Sequence, residues 1–162
     1  TEERFSHEGL GFNFRMTNIQ AAIGVAQIDK INQHAKKKLE IGSWYKKALE
    51  DSEYFKFQKS IGDIDHIYWM YTIIISDELD IEGHELLSML KERKIESRQL
   101  FKGLHLQEPL KKYVLDDQKE LPITEKLYKK GLYLPSAVNL KEKDVKYIVD
   151  SINDIAICLK KK

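Results

Sequence analysis

His7-Glu8-Gly9-Leu10-Gly11-Phe12-Asn13-Phe14-Arg15-Met16-Thr17-Asn18-Ile19-Gln20-Ala21-Ala22-Ile23-Gly24-Val25-Ala26-Gln27 joins a polar, glycine-containing loop to a strong helix start. Thr17 followed three residues later by Gln20, ahead of an apolar run, is a capping-box pattern in which each side chain satisfies a backbone N–H at the helix end. Asn13 and Arg15 therefore sit just before a helix N-terminus, where unpaired N–H groups and the helix dipole both favour negative charge. Two readings stand at this point: an anion site, or a plain loop-to-helix junction with a turn-forming Asn and a solvated Arg.

Downstream, helical spacing predicts a helix from Thr17 to about Asp51. Ile19, Ala22, Ile23 and Ala26 lie on one face, and Ile31, Ala35, Leu39, Gly42, Tyr45 and Leu49 carry the stripe onward. Unbroken, it would extend roughly 50 Å, so a bend near Asn32 to Lys36 is expected. Ala21 to Ala26 lacks charge altogether, which predicts close packing on several sides, in a core or at a subunit contact. Tyr54 to Phe57 and Ile67 to Ile75 read as two antiparallel strands joined through the turn-like Gly62-Asp63-Ile64-Asp65. Asp80 is expected to cap a helix from Ile81 to about Arg93, and Ile95 to Phe101 to form a third strand. A loop from Gly103 to Pro109 precedes a short helix near Leu110 to Val114. Another helix starts at Pro122 and ends at Gly131. Leu132-Tyr133-Leu134-Pro135 is extended, and Asn139 with Glu142 suggests a capping box before a last helix carrying Val145, Ile148, Val149, Ile152, Ile155, Ala156 and Leu159, with a dipole-complementing Lys160-Lys161-Lys162 tail. The expected class is α+β: a long N-terminal helix leading into a small domain whose short antiparallel sheet is covered by helices. Residues 1–51 would be the loop and linking helix, and 52–162 the small domain.

Composition narrows the function. With 162 residues, 42% hydrophobic and 33% charged, the chain can bury a core of ordinary size. Its 27 Lys and Arg against 26 Asp and Glu leave a net charge of +1, which makes no electrostatic case for nucleic acid or an anionic membrane. No apolar run approaches the ~18 residues that span a bilayer, and the charged start Thr1-Glu2-Glu3-Arg4 is unlike a signal peptide. The lone Cys158, among apolar helix residues, is expected to be a buried structural thiol, and a cytoplasmic setting fits. His7, His34, His66, His84 and His105 are scattered without metal-ligand spacing, so no metal is expected. Phosphate-binding glycine loops and nucleophile elbows are missing, and carboxylates such as Asp116 and Asp117 read as solvated. His105, in a loop close behind Arg98, is a candidate ligand contact. Ile19 to Ile31 has some helix-turn-helix character, with a turn at Gly24-Val25, but Gln27-Ile28-Asp29-Lys30-Ile31 is too lightly basic for a recognition segment.

Taken together, these motifs resemble a known family. Gly11-Phe12-Asn13-Phe14-Arg15-Met16, then Gln20-Ala21-Ala22-Ile23-Gly24 and Gln27, is similar to the Gly-Tyr-Asn-Tyr-Arg-Met...Gln-Ala-Ala-Ile-Gly...Gln signature of the DegT/DnrJ/EryC1/StrS sugar aminotransferases. Ile95-Glu96-Ser97-Arg98 with Leu104-His105-Leu106-Gln107 resembles the family's Gly-Ile-x-Thr-Arg...Pro-Leu-His-x-Gln segment, and Leu132-Tyr133-Leu134-Pro135 its late Leu-x-Leu-Pro. The resemblance implies the C-terminal portion of a dimeric, fold-type-I, pyridoxal-phosphate enzyme that moves an amino group, usually from glutamate, to a nucleotide-linked keto-sugar. It implies that Asn13 reaches across the dimer to the partner's cofactor phosphate, that Arg15 meets substrate phosphate or carboxylate, and that His105 and Arg98 approach the nucleotide-sugar. The Schiff-base Lys would lie upstream, leaving no catalytic residue in this chain and a fragment inactive alone. Phe12 and Phe14 replace the usual tyrosines, and Gly103 stands where Pro is common, which loosens the assignment of His105. Other readings are a non-catalytic domain that binds a nucleotide-sugar or a partner chain, and a DNA-binding regulator built on Thr17 to Ile31.

Overall fold

In a computed structural model the described residues are 5–59, 62, 64, 66–116 and 119–161. Expectations for Thr1 to Arg4, Asp63, Asp65, Asp117 and Lys162 lie outside them. The elements run α1 (Asn18–Ile28), α2 (Ile31–Leu49), β1 (Phe55–Phe57), β2 (Tyr71–Ile75), α3 (Gly83–Glu92), β3 (Arg98–Gln99), two 3-10 turns (Leu104–Leu106 and Glu108–Tyr113), α4 (Pro122–Lys130), β4 (Gly131–Leu134) and α5 (Glu142–Lys160). The sheet is antiparallel throughout, in the order β1-β2-β4-β3. Mixed α+β architecture with a short helix-covered sheet is therefore what the chain adopts.

Alternation explains the core. Tyr71, Ile73 and Ile75 of β2 are buried, and their register partners Leu134, Leu132 and Phe55 share their sheet face. Against this face pack Ile41, Tyr45 and Leu49 of α2, Leu86 and Leu90 of α3, and the inward stripe of α5 from Val145 to Ala156. The Tyr45 ring stacks on Tyr71 at 4.5 Å and its hydroxyl donates to the Pro135 carbonyl at 2.7 Å. Tyr68 also stacks on Tyr71, at 5.6 Å. Lys38 crosses the same end of the sheet: its ammonium donates to the carbonyls of Trp69 and Ser136, and burial lowers its pKa from the ordinary lysine value.

Several expected boundaries move. The long helix breaks at Asp29–Lys30 rather than within Asn32 to Lys36. Ile31 and Leu39 are exposed, so the buried α2 stripe is Ile41, Gly42, Tyr45 and Leu49. Those residues set the α2 axis, while no residue of α1 is buried. The Ile67 to Ile75 strand shortens to Tyr71–Ile75, because Tyr68 turns left-handed (φ 49°) to lay its ring where a Cβ on Gly42 would be, 2.3 Å from Tyr68 Cδ2. Only Arg98–Gln99 of the third strand is laddered. Helix α3 starts after Glu82, whose N–H donates to Glu85 Oε2 at 2.7 Å, and not at Asp80. Asp144, accepting from Lys141 N–H at 2.9 Å, caps α5 in place of the Asn139 and Glu142 pair. Cys158 is exposed, on the outer side of α5, so it is no core thiol. Helix α1 runs through Gly24-Val25 without a turn, so the helix-turn-helix character of Ile19 to Ile31 does not extend to a turn at that place.

The tyrosine stack has a consequence at high pH. Burial, then the neighbouring Tyr71, pushes the Tyr45 phenol up, and burial, then Tyr68, does the same for Tyr71. Unfolded tyrosines ionise near about 10, so the native preference for neutral Tyr45 and Tyr71 is fully present below that pH and is lost as pH rises above it. Absorbance at the tyrosinate band should show Tyr45 and Tyr71 ionising only with cooperative loss of far-UV ellipticity. Smooth ionisation of all 8 tyrosines in a folded chain would contradict the buried stack.

Candidate functional site

Asn13 and Arg15 lie on an arm, residues 5–28, that leaves the packed unit and buries none of the side chains of α1. Thr17 does form the capping box: its N–H donates to Gln20 Oε1 at 2.7 Å and its Oγ1 accepts from Gln20 N–H at 3.3 Å. Immediately upstream, Asn13 Oδ1 accepts from Arg15 N–H at 2.9 Å, an Asx turn that carries Arg15 into the left-handed region (φ 73°). The turn uses the acceptor end of the Asn13 amide, so its NH2 end remains directed outward as a donor. Asn13, Arg15, Met16 and Gln20 line a recess of about 630 Å³. Carboxamide N–H groups, a guanidinium and a helix N-terminus together suit a phosphate. The lining contains no lysine, so the arm fits the phosphate end of pyridoxal phosphate and not its aldehyde.

Arg98 pairs with Tyr133 across β3 and β4, and Tyr133 with Thr72 across β4 and β2, placing all three on the sheet face opposite the core. The Phe101 ring meets Tyr133 edge-on at 5.7 Å, and Phe5 meets Phe101 edge-on at 4.6 Å. This aromatic relay links the root of the arm to Tyr133 on β4, the register partner of Arg98.

His105 is turned inward. Its side chain is 5% exposed, and Nε2 lies 3.4 Å from Glu125 Oε1, which also accepts from Leu121 N–H at 3.3 Å. Gly103 makes the pose possible: a Cβ there would fall 2.5 Å from His105 Cε1 and 2.7 Å from Nδ1. The glycine backbone itself (φ −55°, ψ 142°) is one that proline adopts readily, so what the departure from Pro changes is space around the imidazole, not chain direction. The structure thus brings Arg98 and the arm's root together through the relay. Asn13 and Arg15 stand apart on the arm, and His105 packs on α4.

Two participants were not singled out from sequence. Glu125 lies 20 residues beyond His105, so no local signal ties them. Gln107, 5% exposed, donates through Nε2 to the Phe5 carbonyl at 2.6 Å and accepts at Oε1 from His7 N–H at 3.0 Å. Its position in Leu104-His105-Leu106-Gln107 was visible, but its partners about 100 residues away were not. Among the described residues no group of three or more His, Cys, Asp or Glu is arranged to hold a metal, and no helix is long and apolar enough to cross a membrane.

Comparison with known proteins places this geometry. GDP-perosamine synthase of Escherichia coli O157:H7 is 36% identical over 151 residues, covering 93% of this chain and 39% of that protein. GDP-perosamine synthase of Caulobacter vibrioides is 31% identical over 150 residues, covering 91% and 39%. The chain therefore spans about two-fifths of the length of these relatives. Among solved structures, Helicobacter pylori PseC, an aminotransferase involved in the biosynthesis of pseudoaminic acid, superposes with a TM-score of 0.74 at 24% identity, covering 91% of this chain and 39% of that one. S. venezuelae DesV superposes at 0.75 with 20% identity, covering 96% and 41%. These two likenesses show the shared fold, and residues 1–153 match the family profile itself. The chain belongs to the DegT/DnrJ/EryC1/StrS aminotransferase family.

Proposed function

We propose that this chain is the C-terminal portion of a pyridoxal-phosphate-dependent aminotransferase that transfers an amino group, from glutamate, to a nucleotide-linked keto-sugar, and that the whole protein works in the cytoplasm as a homodimer. The observation that carries the reading is the arm: a phosphate-suited donor set beside a helix, α1, that buries no residue in its own unit, in a chain that covers 39% of a GDP-perosamine synthase relative. When bound, the cofactor supplies the electron sink for the amino transfer. The roles of this chain's residues are binding and orientation. Asn13 donates its amide to the phosphate held by the partner subunit, and the α1 N-terminus adds favourable potential there. Arg15 offers a two-pronged guanidinium to substrate phosphate or carboxylate, and Arg98 faces the nucleotide-sugar from the outer face of the sheet. His105 contributes once its imidazole leaves Glu125. The division expected after residue 51 is drawn earlier in this reading: Ile41, Tyr45 and Leu49 of α2 belong to the core, so α2 goes with the small domain and the residues before it with the link to the large domain.

Two measurements test this. Borohydride reduction of the 162-residue chain with pyridoxal phosphate should leave no single lysine modified, whereas stoichiometric trapping accompanied by turnover would place the catalytic lysine here and sink the assignment. In the full-length protein, Asn13→Asp sets a carboxylate against the phosphate and should weaken cofactor binding by about tenfold or more. Unchanged cofactor affinity would remove Asn13 from the phosphate site.

A further inference from the structure

The hydrogen bonds of Gln107 connect the two halves of the candidate site. Its buried carboxamide brackets residue 6, donating to the carbonyl before it and accepting from the N–H after it, the same donor and acceptor pair that a neighbouring strand would offer. Both partners are backbone groups, so the clamp does not depend on the side chains of residues 5 to 7. Phe5 is held left-handed (φ 64°), a costly conformation for an aromatic residue that persists only where surrounding contacts enforce it. The edge-on Phe101 ring and the Gln107 amide are among those contacts. Between the arm's root and the Phe101 to Gln107 loop lies an apolar recess of about 660 Å³, lined among others by His7, Leu10, Phe101 and Leu104, and Lys102 Nζ donates to Ser6 Oγ at 3.4 Å across the same two segments; of these bridges, the Gln107 amide is the one that holds backbone at both ends of residue 6.

Resting on the aminotransferase reading above, we infer that Gln107 is a positioning residue: its amide clamps the root of the arm and thereby sets where Asn13 and Arg15 stand relative to Arg98 and His105. Five residues lie between His7 and Asn13, six steps of chain that reach about 20 Å when extended, so a clamped root holds the phosphate-binding turn within that radius of the loop and a released one does not. With the root clamped, the turn starts from one fixed point beside the loop that carries His105. Gln107 touches no reacting atom; it acts through the backbone of Phe5 and His7.

The test uses the full-length protein with Gln107→Leu, which removes both polar ends at similar volume, and Gln107→Glu, which keeps the acceptor for His7 N–H and removes the donor at neutral pH. Amide exchange at His7 and at Arg15, thermal melting, and KM and kcat for the keto-sugar nucleotide are the readouts. In Gln107→Leu, exchange at both amides should quicken and KM should rise, each by about tenfold, as expected when a buried hydrogen-bonded group loses its partners. kcat should stay within about threefold, and Gln107→Glu should lie between wild type and Gln107→Leu. Should Gln107→Leu fail to fold, Gln107→Glu alone decides, because it keeps one of the two bonds. Faster exchange at His7 without any change at Arg15, or with KM unchanged, would overturn the positioning role, as would unaltered exchange at His7. If wild-type protein transfers no amino group, the proposed function fails, while exchange at His7 and Arg15 still decides whether Gln107 orders the arm.

Discussion

Gly131→Ala is expected to destabilise the chain by about 3 kcal/mol, the upper end of what overpacking a tight interior costs, and to lower its melting temperature by about 10 °C. Backbone conformation is not the reason, since Gly131 has φ −99°, open to any residue. Space is. A Cβ would lie 1.8 Å from Leu100 Cδ1 and 2.4 Å from the Leu127 carbonyl oxygen. The leucine side chain can swing away, but the carbonyl belongs to α4 and cannot move without disturbing that helix. The same point carries β4, which pairs with β2, and the hydrogen bond from Leu100 N–H to the Gly131 carbonyl at 3.2 Å. Gly83 approaches from α3, where a Cβ would stand 3.1 Å from the Gly131 carbonyl. Displacing Gly131 therefore strains the sheet and two helices together. Gly24→Ala is the control: nothing lies within 4 Å of a Cβ there, so a methyl group should raise α1 helicity and leave the melting temperature of the packed unit where it was. Equal melting temperatures for Gly131→Ala and wild type would mean that the α4–β4 junction is looser than its close contacts imply.

Gly131 also shows what a sequence makes legible. As a stop after the Pro122 helix it was readable, because proline at a helix start and glycine at its end are local signals. So were β2, from its β-branched and aromatic residues, and α5, from its spacing of three and four. What escaped depends on contacts distant in the chain. Tyr68 leaves the β2 ladder because Gly42, 26 positions earlier, makes room for its ring. The α5 cap was ambiguous locally, since Asn139 with Glu142 and Lys141 with Asp144 share a spacing of three; the core position of Val145 selects the later pair. The candidate site divides in the same way. An anion-friendly turn before α1 was visible in Asn13, Arg15, Thr17 and Gln20. The inward pose of His105 was not, for it requires both a missing Cβ at Gly103 and a carboxylate on α4.

Ile19→Lys together with Ile23→Lys should separate the stability of the packed unit from assembly of the full-length protein. The arm is apolar and bare: Phe12 is 81% exposed, Phe14 89%, Ile19 77% and Ile23 59%. No side chain of α1 is buried, so the two lysines should change the melting of the 162-residue chain by no more than about 0.5 kcal/mol, the usual scale for surface substitutions. In the proposed dimer the same face is covered, and each isoleucine removed from water contributes about 1.5–3 kcal/mol, before the added cost of desolvating two ammonium groups. Two such faces, one per subunit, put the total near or beyond 10 kcal/mol, enough to raise a dissociation constant by several powers of ten. Sedimentation velocity on the full-length variant should then show monomers at micromolar concentration, and cofactor retention should fall with assembly, since in the proposed dimer Asn13 serves the other subunit's phosphate. A variant that stays dimeric would mean that the α1 face is covered by its own large domain or by nothing. A large drop in melting temperature of the 162-residue chain would mean that α1 packs on its own unit after all. The expected pair of results, unchanged melting and lost assembly, identifies the apolar arm as surface reserved for a second subunit.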